Sequence, residues 1–327
     1  MPSAEPDSTS SRHAPDTSAP VASTPATSTP ATSTPVTSTP ATNARVTSAP
    51  AHPESDSDDD DDAAAAIEAL TAEVLTIGEI TITGRLTDAS NVTLLGEASA
   101  DGLTVPCIYK PVRGERPLWD FPDGTLADRE RAAFLVSRAA GWDCVPLTVL
   151  RPGPFGPGMV QRWIEDANPD DAVDLVRIKE IPDGWLPVLR AVDEDGSPVA
   201  LVHADRPALA TLAGFDLVVN NADRKGSHVL PLPDGRVLGV DHGLCFHSDD
   251  KLRTILWGWA GRPLPATVVD GVTRLLAGLD GDLGEELTAL LTGNEITVLR
   301  ERLESLADDP TFPRPPNHRT PIPWPPL

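Results

Sequence analysis

Aromatic residues are scarce: one tyrosine and six phenylalanines stand against 35 prolines in 327 residues. A chain with that ratio is not globular throughout, because a segment without large apolar side chains cannot offset the entropy lost on ordering. Cysteine is equally sparse. Cys107, Cys144 and Cys245 show no C-x-x-C spacing, which argues against a disulfide framework or zinc ribbon and for a reducing, cytoplasmic setting. Basic residues are in deficit, 26 against 49 acidic, so sequence-independent attraction to nucleic-acid phosphates or anionic lipid surfaces is not expected. Runs of about 18 apolar residues are missing, as is a signal-peptide core in residues 1–30, so neither a membrane span nor secretion is expected.

What is present divides the chain. Residues 1–62 hold ten prolines, ten acidic residues and two arginines, with almost no large apolar side chain. Within them STPATSTPATSTPVTSTPAT places Pro25, Pro30, Pro35 and Pro40 in strict five-residue register, and an acidic run from Asp56 to Asp62 follows. Proline at that density favours extended, solvated chain, and the like charges repel one another. A disordered tail over residues 1–62 is the expectation. All seven tryptophans lie beyond it.

Order should begin near Ala63 with a short alanine-rich helix. Three strands are predicted over Ile80–Leu86, Val92–Glu97 and Leu103–Lys110, then a helix over Leu126–Ala139, then two strands over Val145–Leu150 and Met159–Ile164. From residue 166 the reading is mostly helical. Helices are predicted over Pro207–Val219, Ala266–Ala277, Leu283–Leu291 and Glu295–Leu306, with one hairpin turning at Pro233-Asp234-Gly235. The fold class that follows is α+β and two-lobed: an antiparallel N-lobe (63–165) with one helix, a helical C-lobe (166–309), and a proline-rich extension (310–327). A cleft between two such lobes is a usual place for a ligand.

Candidate chemistry clusters at that cleft. Lys110 ends an apolar strand, VPCIYK, and the proline after it stops the ladder. Glu130 lies three and four residues before Ala133 and Phe134, so it projects from the helix face that meets the sheet and calls for a cation. The densest signal is 216–246, DLVVNNADRKGSHVLPLPDGRVLGVDHGLCF. Here a polar loop, a hairpin and a D-x-G bring Asp223, His228 and Asp241 to the mouth of one hairpin. Two carboxylates placed in this way suit metal-assisted phosphoryl transfer, one orienting a hydroxyl and the other holding the metal. A capped turn built on Asn221 and Asp223 is the plainer reading. His228, Asp241, His242 and His247 are also the residue types of a zinc or manganese hydrolase, although no H-E-x-x-H pair is present.

The order of strand lysine, helix glutamate, D-R-x-x-x-[N/H] loop and D-x-G resembles the kinase catalytic core. D-R-K-G-S-H and V-D-H-G-L-C-F look most like the phosphatidylinositol 3- and 4-kinase type. From about Gly78 to the proline-rich end, the chain is similar to an actinobacterial family distantly related to those lipid kinases. The resemblance implies a kinase-like fold with ATP and Mg2+ as cofactors. It implies that Lys110 contacts nucleotide phosphates and pairs with Glu130, and that the loop Thr87 to Asn91 covers the phosphates through Ser90 and Asn91. Asp223 would be the catalytic aspartate, and Asp241 would bind the metal. Two departures stand out: Lys225 replaces the expected histidine, and His228 replaces the expected metal-binding asparagine. A lysine there can meet a phosphate, and a neutral imidazole can bind a divalent metal. Three outcomes stay open: a phosphotransferase, a nucleotide-binding pseudokinase serving as a scaffold, and a helical interaction protein. In the segment after the D-x-G, Lys251 and Arg253 are offset by Asp249 and Asp250, so a protein hydroxyl or small metabolite is expected as acceptor rather than a lipid head group.

Overall fold

The computed structural model describes residues 57–86, 91–122, 125–165 and 167–327. The expected tail as far as residue 56, together with Ser90, lies outside the described residues. Residues 57–62 belong instead to helix α1 (Ser57–Ile77), which starts inside the acidic run. Negative residues suit a helix N-terminus, and the alanines that follow are strong helix formers.

Strands β1 (Glu79–Leu86), β2 (Thr93–Ala100) and β3 (Leu103–Pro111) form a meander. Helix α2 (Leu126–Ala139) and strands β4 (Thr148–Gly153) and β5 (Gly156–Arg162) follow. The five strands make one sheet in the order β1-β2-β3-β5-β4, every neighbouring pair antiparallel. The predicted strand at Val145 starts three residues later, beyond Pro146, which has no amide to give a ladder. Val74 and Leu75 of α1 pack on Ile80, Ala98, Cys107, Tyr109 and Val160 to form the core of this sheet. Gly158 pairs with Pro111 beside Lys110, and a Cβ there would collide with the Lys110 carbonyl oxygen. Only glycine lets β5 approach the strand that carries Lys110 so closely.

The expectation of a mostly helical second half needs correction. It opens with a three-stranded antiparallel sheet, β6 (Val173–Arg177), β7 (Trp185–Val192) and β8 (Pro198–Ala204), in the order β6-β8-β7. The central strand, PVALVHA, is buried after its first residue. A continuous apolar run of that kind lacks the alternation that marks a half-buried strand, and Pro182 and Pro187 further disguise the pattern. Beyond it come α3 (Pro207–Val219), the short hairpin β9 (Val229–Pro231) and β10 (Val237–Gly239), and helices α4 (Ala266–Gly278), α5 (Asp282–Thr288) and α6 (Gly293–Asp308). Helix α3 is the centre of the second core, with Leu209, Leu212, Phe215 and Val219 wholly buried.

The proline-rich end runs extended along this body. Backbone carbonyls of Pro310, Pro321 and Pro326 accept from the amides of Leu264, Thr254 and Gly226 at 2.8, 3.1 and 2.8 Å. Proline offers a carbonyl and no N–H, so these three positions of the strap bond as acceptors. Among the described residues no helix is long and apolar enough to cross a membrane.

His203 of β8 is wholly buried. Its Nδ1 donates to the Ala204 carbonyl oxygen (3.1 Å) and its Nε2 accepts from the Gly258 amide (3.0 Å), so both ring nitrogens are satisfied in the neutral form. Burial pushes its pKa down to about 4. Above about pH 6.5 folded and unfolded states are both neutral here, whereas below it the unfolded chain takes up a proton that the native site refuses. Stability should therefore fall as pH drops from 6.5 toward 4. In urea unfolding, His203→Gln should start less stable at pH 7 but escape about 2 kcal/mol of the loss that wild type suffers between pH 7 and pH 5.

Candidate active site

The site is assembled where β3, α2 and the end of the β9–β10 hairpin meet. The Lys110 ammonium lies 2.7 Å from Glu130 Oε1 and 2.8 Å from Asp241 Oδ1. Burial pulls the lysine pKa down, but the Asp241 and Glu130 carboxylates override it and the net direction is upward, so the ammonium stays charged. Helix α2 supplies Glu130 from its first turns. Thr125 and Asp128 form a reciprocal capping box, and the Glu115 carboxylate accepts from the Leu126 and Ala127 amides at 3.0 and 2.9 Å. The second oxygen of Glu130 accepts from the His242 amide at 2.9 Å. One buried carboxylate thus joins the sheet lysine to the segment that carries Asp241.

Asp241 holds a left-handed backbone, φ 62°, a conformation that costs energy in a residue other than glycine and gathers at functional sites. Lys110 is the main reason its carboxyl stays well below the usual range. The other carboxylate oxygen lies 3.4 Å from His228 Nε2. His228 Nδ1 stands 3.0 Å from the Asp223 carbonyl oxygen. A carbonyl only accepts, so Nδ1 carries the hydrogen and Nε2 presents a lone pair toward Asp241. Burial pushes the His228 pKa down to about 4, only partly opposed by Asp241, so the ring is neutral at pH 7. A lone pair and a carboxylate oxygen that share one space are the donor set of a divalent cation. The described residues hold no cluster of three or more His, Cys, Asp or Glu side chains able to hold a metal.

Asp223 stands on the same loop, with Lys225 Nζ at 3.1 Å. Burial raises the Asp223 pKa and Asp241 adds to it, while Lys225 pulls it back. The Asp223 amide donates to Asn221 Oδ1 at 2.9 Å, so the capped turn expected there is present as well.

Asn91 is not brought to this cluster. Its side-chain oxygen accepts from the Arg116 amide at 2.9 Å. The hydrolase set is not assembled either. The His242 ring is buried beside Arg224, and His247 Nδ1 accepts from the Asp249 amide with its ring edge on Phe121. The expected offset of Lys251 by Asp249 and Asp250 also differs. Lys251 reaches Asp120 at 3.5 Å and lies over the Trp119 ring, while Asp250 takes Arg319 at 2.5 Å.

Sequence reasoning missed the residues that hold the cluster rigid. Arg224 is fully buried and bonds both Asp216 oxygens, the His228 and Val240 carbonyls (3.1 and 2.9 Å) and His242 Nε2 (2.7 Å). It ties the Asp223 loop to the segment that carries Asp241. Arg129, beside Glu130, bridges Glu295 of α6 at 2.5 Å and donates to the Cys245 carbonyl at 2.7 Å. The one legible signal was Asp216, an acid inside the apolar run GFDLVV.

No protein-family model matches the chain. Among solved structures, the Golgi casein kinase superposes with a TM-score of 0.46 at 15% identity, covering 73% of each chain. The same kinase with Mn/ADP bound gives 0.48 at 14% identity over 75% of each. The Helicobacter pylori proinflammatory kinase CtkA gives 0.41 at 11% identity, covering 72% of this chain and 94% of that one. In sequence, Protein Rv2133c of Mycobacterium tuberculosis (strain ATCC 25618 / H37Rv) is 50% identical over 261 residues, spanning 77% of this chain and 94% of that protein. At that identity and coverage, the chain belongs to the family of Protein Rv2133c.

Proposed function

We propose that the chain is an ATP- and Mg2+-dependent phosphotransferase acting on an alcohol acceptor, a protein hydroxyl or a small metabolite. The observation that carries this reading is the Lys110 ammonium held at 2.7 and 2.8 Å between Glu130 and Asp241. It is supported by the resemblance of D-R-K-G-S-H and V-D-H-G-L-C-F to the phosphatidylinositol 3- and 4-kinase type. Asp241 and His228 would hold Mg2+, which would supply charge neutralisation for the nucleotide phosphates. Lys110 would orient the phosphates of the nucleotide, with Glu130 fixing the direction of its ammonium. Asp223, whose carboxyl has a raised proton affinity, would accept the proton of the attacking hydroxyl. Lys225 beside it would meet the transferred phosphate. Three buried, unbridged cysteines suit a reducing cytoplasm.

A second reading has its own observation. The 3.1 Å pair between Lys225 and Asp223 occupies the carboxylate that would accept the proton, which suits a nucleotide-binding module without turnover.

Melting with and without Mg-ATP tests binding, because ligand at 100 times its dissociation constant adds about 2.7 kcal/mol to native stability. Asp241→Asn, which keeps volume and removes charge, should abolish the Mg2+-dependent part of that shift. An unchanged shift would refute the metal assignment. Asp223→Asn should keep the Mg-ATP shift but lower phosphate transfer, counted by mass spectrometry, by a factor of about 100 or more. Equal transfer in wild type and variant would remove Asp223 from the chemistry, and no transfer in wild type would favour the second reading.

A further inference from the structure

A cavity of about 750 Å3 lies away from Lys110 and Asp241, between the end of α3, helix α6, residues 248–252 and the C-terminal strap. That volume is in the range of small-molecule sites. Leu217, Leu252, Trp257 and Phe312, all buried, form its apolar wall. Three guanidinium groups, those of Arg302, Arg314 and Arg319, line the same space.

Two of these arginines are incompletely matched. Arg302 donates to the Val218 carbonyl (2.6 Å) and, at long range, to the His247 carbonyl (3.4 Å). Among the described residues no carboxylate lies within 4 Å of it, since every ion pair of that length involves other groups. A guanidinium carries five N–H donors and a full charge, so two carbonyls leave it short of partners. Burial pulls its pKa down to about 10, only partly opposed by the more distant Asp250 carboxylate. Arg319 gives its terminal nitrogens to Asp250 and the Leu252 carbonyl, but its Nε is buried with no hydrogen-bond partner among the described residues. A buried unpaired donor is costly, and such groups in a native protein call for an explanation. Asp250 is already engaged by Arg319, and Glu301 and Asp309 are exposed at the rim.

We propose that this cavity binds a small amphipathic anion, a carboxylate or sulfonate head on an aromatic or aliphatic body, with the head on Arg302 and Arg319 and the body against Trp257 and Phe312. Arginine's planar fork suits a carboxylate, and the apolar wall excludes a bare inorganic anion as the best fit. The site is separate from the nucleotide cleft and does not depend on the phosphotransferase reading. Residues 248–252, which form part of its wall, are the continuation of the segment carrying Asp241.

The probe is anilinonaphthalenesulfonate, followed by fluorescence on the full chain. Wild type should bind it saturably at one site, and octanoate or phenylacetate should displace it where inorganic phosphate at equal concentration does not. Arg302→Gln and Arg319→Gln should each weaken binding about tenfold or more. Because Arg302 also bonds the Val218 carbonyl, Ser305→Trp serves as an independent variant: it starts on an exposed face of α6 that lines the cavity, leaves all three arginines in place and should block the site with an unchanged melting temperature. Probe binding should persist at saturating Mg-ATP. Non-saturable binding, affinity unaltered in all three variants, displacement by phosphate as effective as by octanoate, or competition by Mg-ATP would each overturn the proposal.

Discussion

The buried pair of Asp216 and Arg224 is the interaction on which the candidate site rests. Both side chains are fully excluded from solvent and their charged atoms meet at 2.9 Å. An ion pair taken out of water contributes little to stability by itself, because desolvation offsets much of the attraction. Its value here lies in direction. Asp216 is fixed on the rigid helix α3, it also accepts from Asn221 and Thr254, and it aims the guanidinium fork at the carbonyls of residues 228 and 240 and at the ring of His242. The loop with Asp223 and His228 and the segment with Asp241 are therefore held by one planar group. Removing either partner would leave an uncompensated buried charge.

A second constraint brings the N-terminal sheet to this centre. Helix α2 has consecutive residues with opposite duties. Arg129 turns to the C-terminal body, meeting Glu295 and the Cys245 carbonyl, while Glu130 turns to Lys110 and the His242 amide. The helix is thus gripped on two sides. The position of Glu130 depends on packing against α6, about 165 residues further along the chain. The C-terminal strap has a comparable role on the other face, bonding Gly226 in the Asp223 loop and Thr254 beyond the Asp241 segment.

Two residues of the Asp223 loop have partners that define their state. His228 is a neutral ring whose tautomer is dictated by the Asp223 carbonyl, so its lone pair faces Asp241. Lys225 pairs with Asp223. Under the proposed function the first would be a metal ligand, and the second would be both a cation for phosphate charge and the competing partner of the carboxylate that would take the proton.

Local signals in the chain were sufficient for the elements whose patterning is self-contained. Helices over Leu126–Ala139 and Pro207–Val219 coincide with their predicted ranges, because capping residues, proline at the first turn and apolar spacing lie within the segments themselves. Lys110 and Asp241 were legible because each ends an apolar run, VPCIY and VLGV, whereas Glu130, Asp223 and His228 were legible only by residue type and order. The β6-β8-β7 sheet was not legible, because a strand buried on both faces reads as a featureless apolar run. Nor were Arg129, Arg224 and their acids recognisable as a framework. An arginine in sequence is a surface residue by default, and only tertiary folding buries it beside a carboxylate 8 residues away, as for Asp216, or on another helix, as for Glu295. Sequence determined which groups are available for chemistry, because that depends on residue type. Tertiary structure alone decided which of them share a space, because that depends on charges brought together out of water from distant parts of the chain.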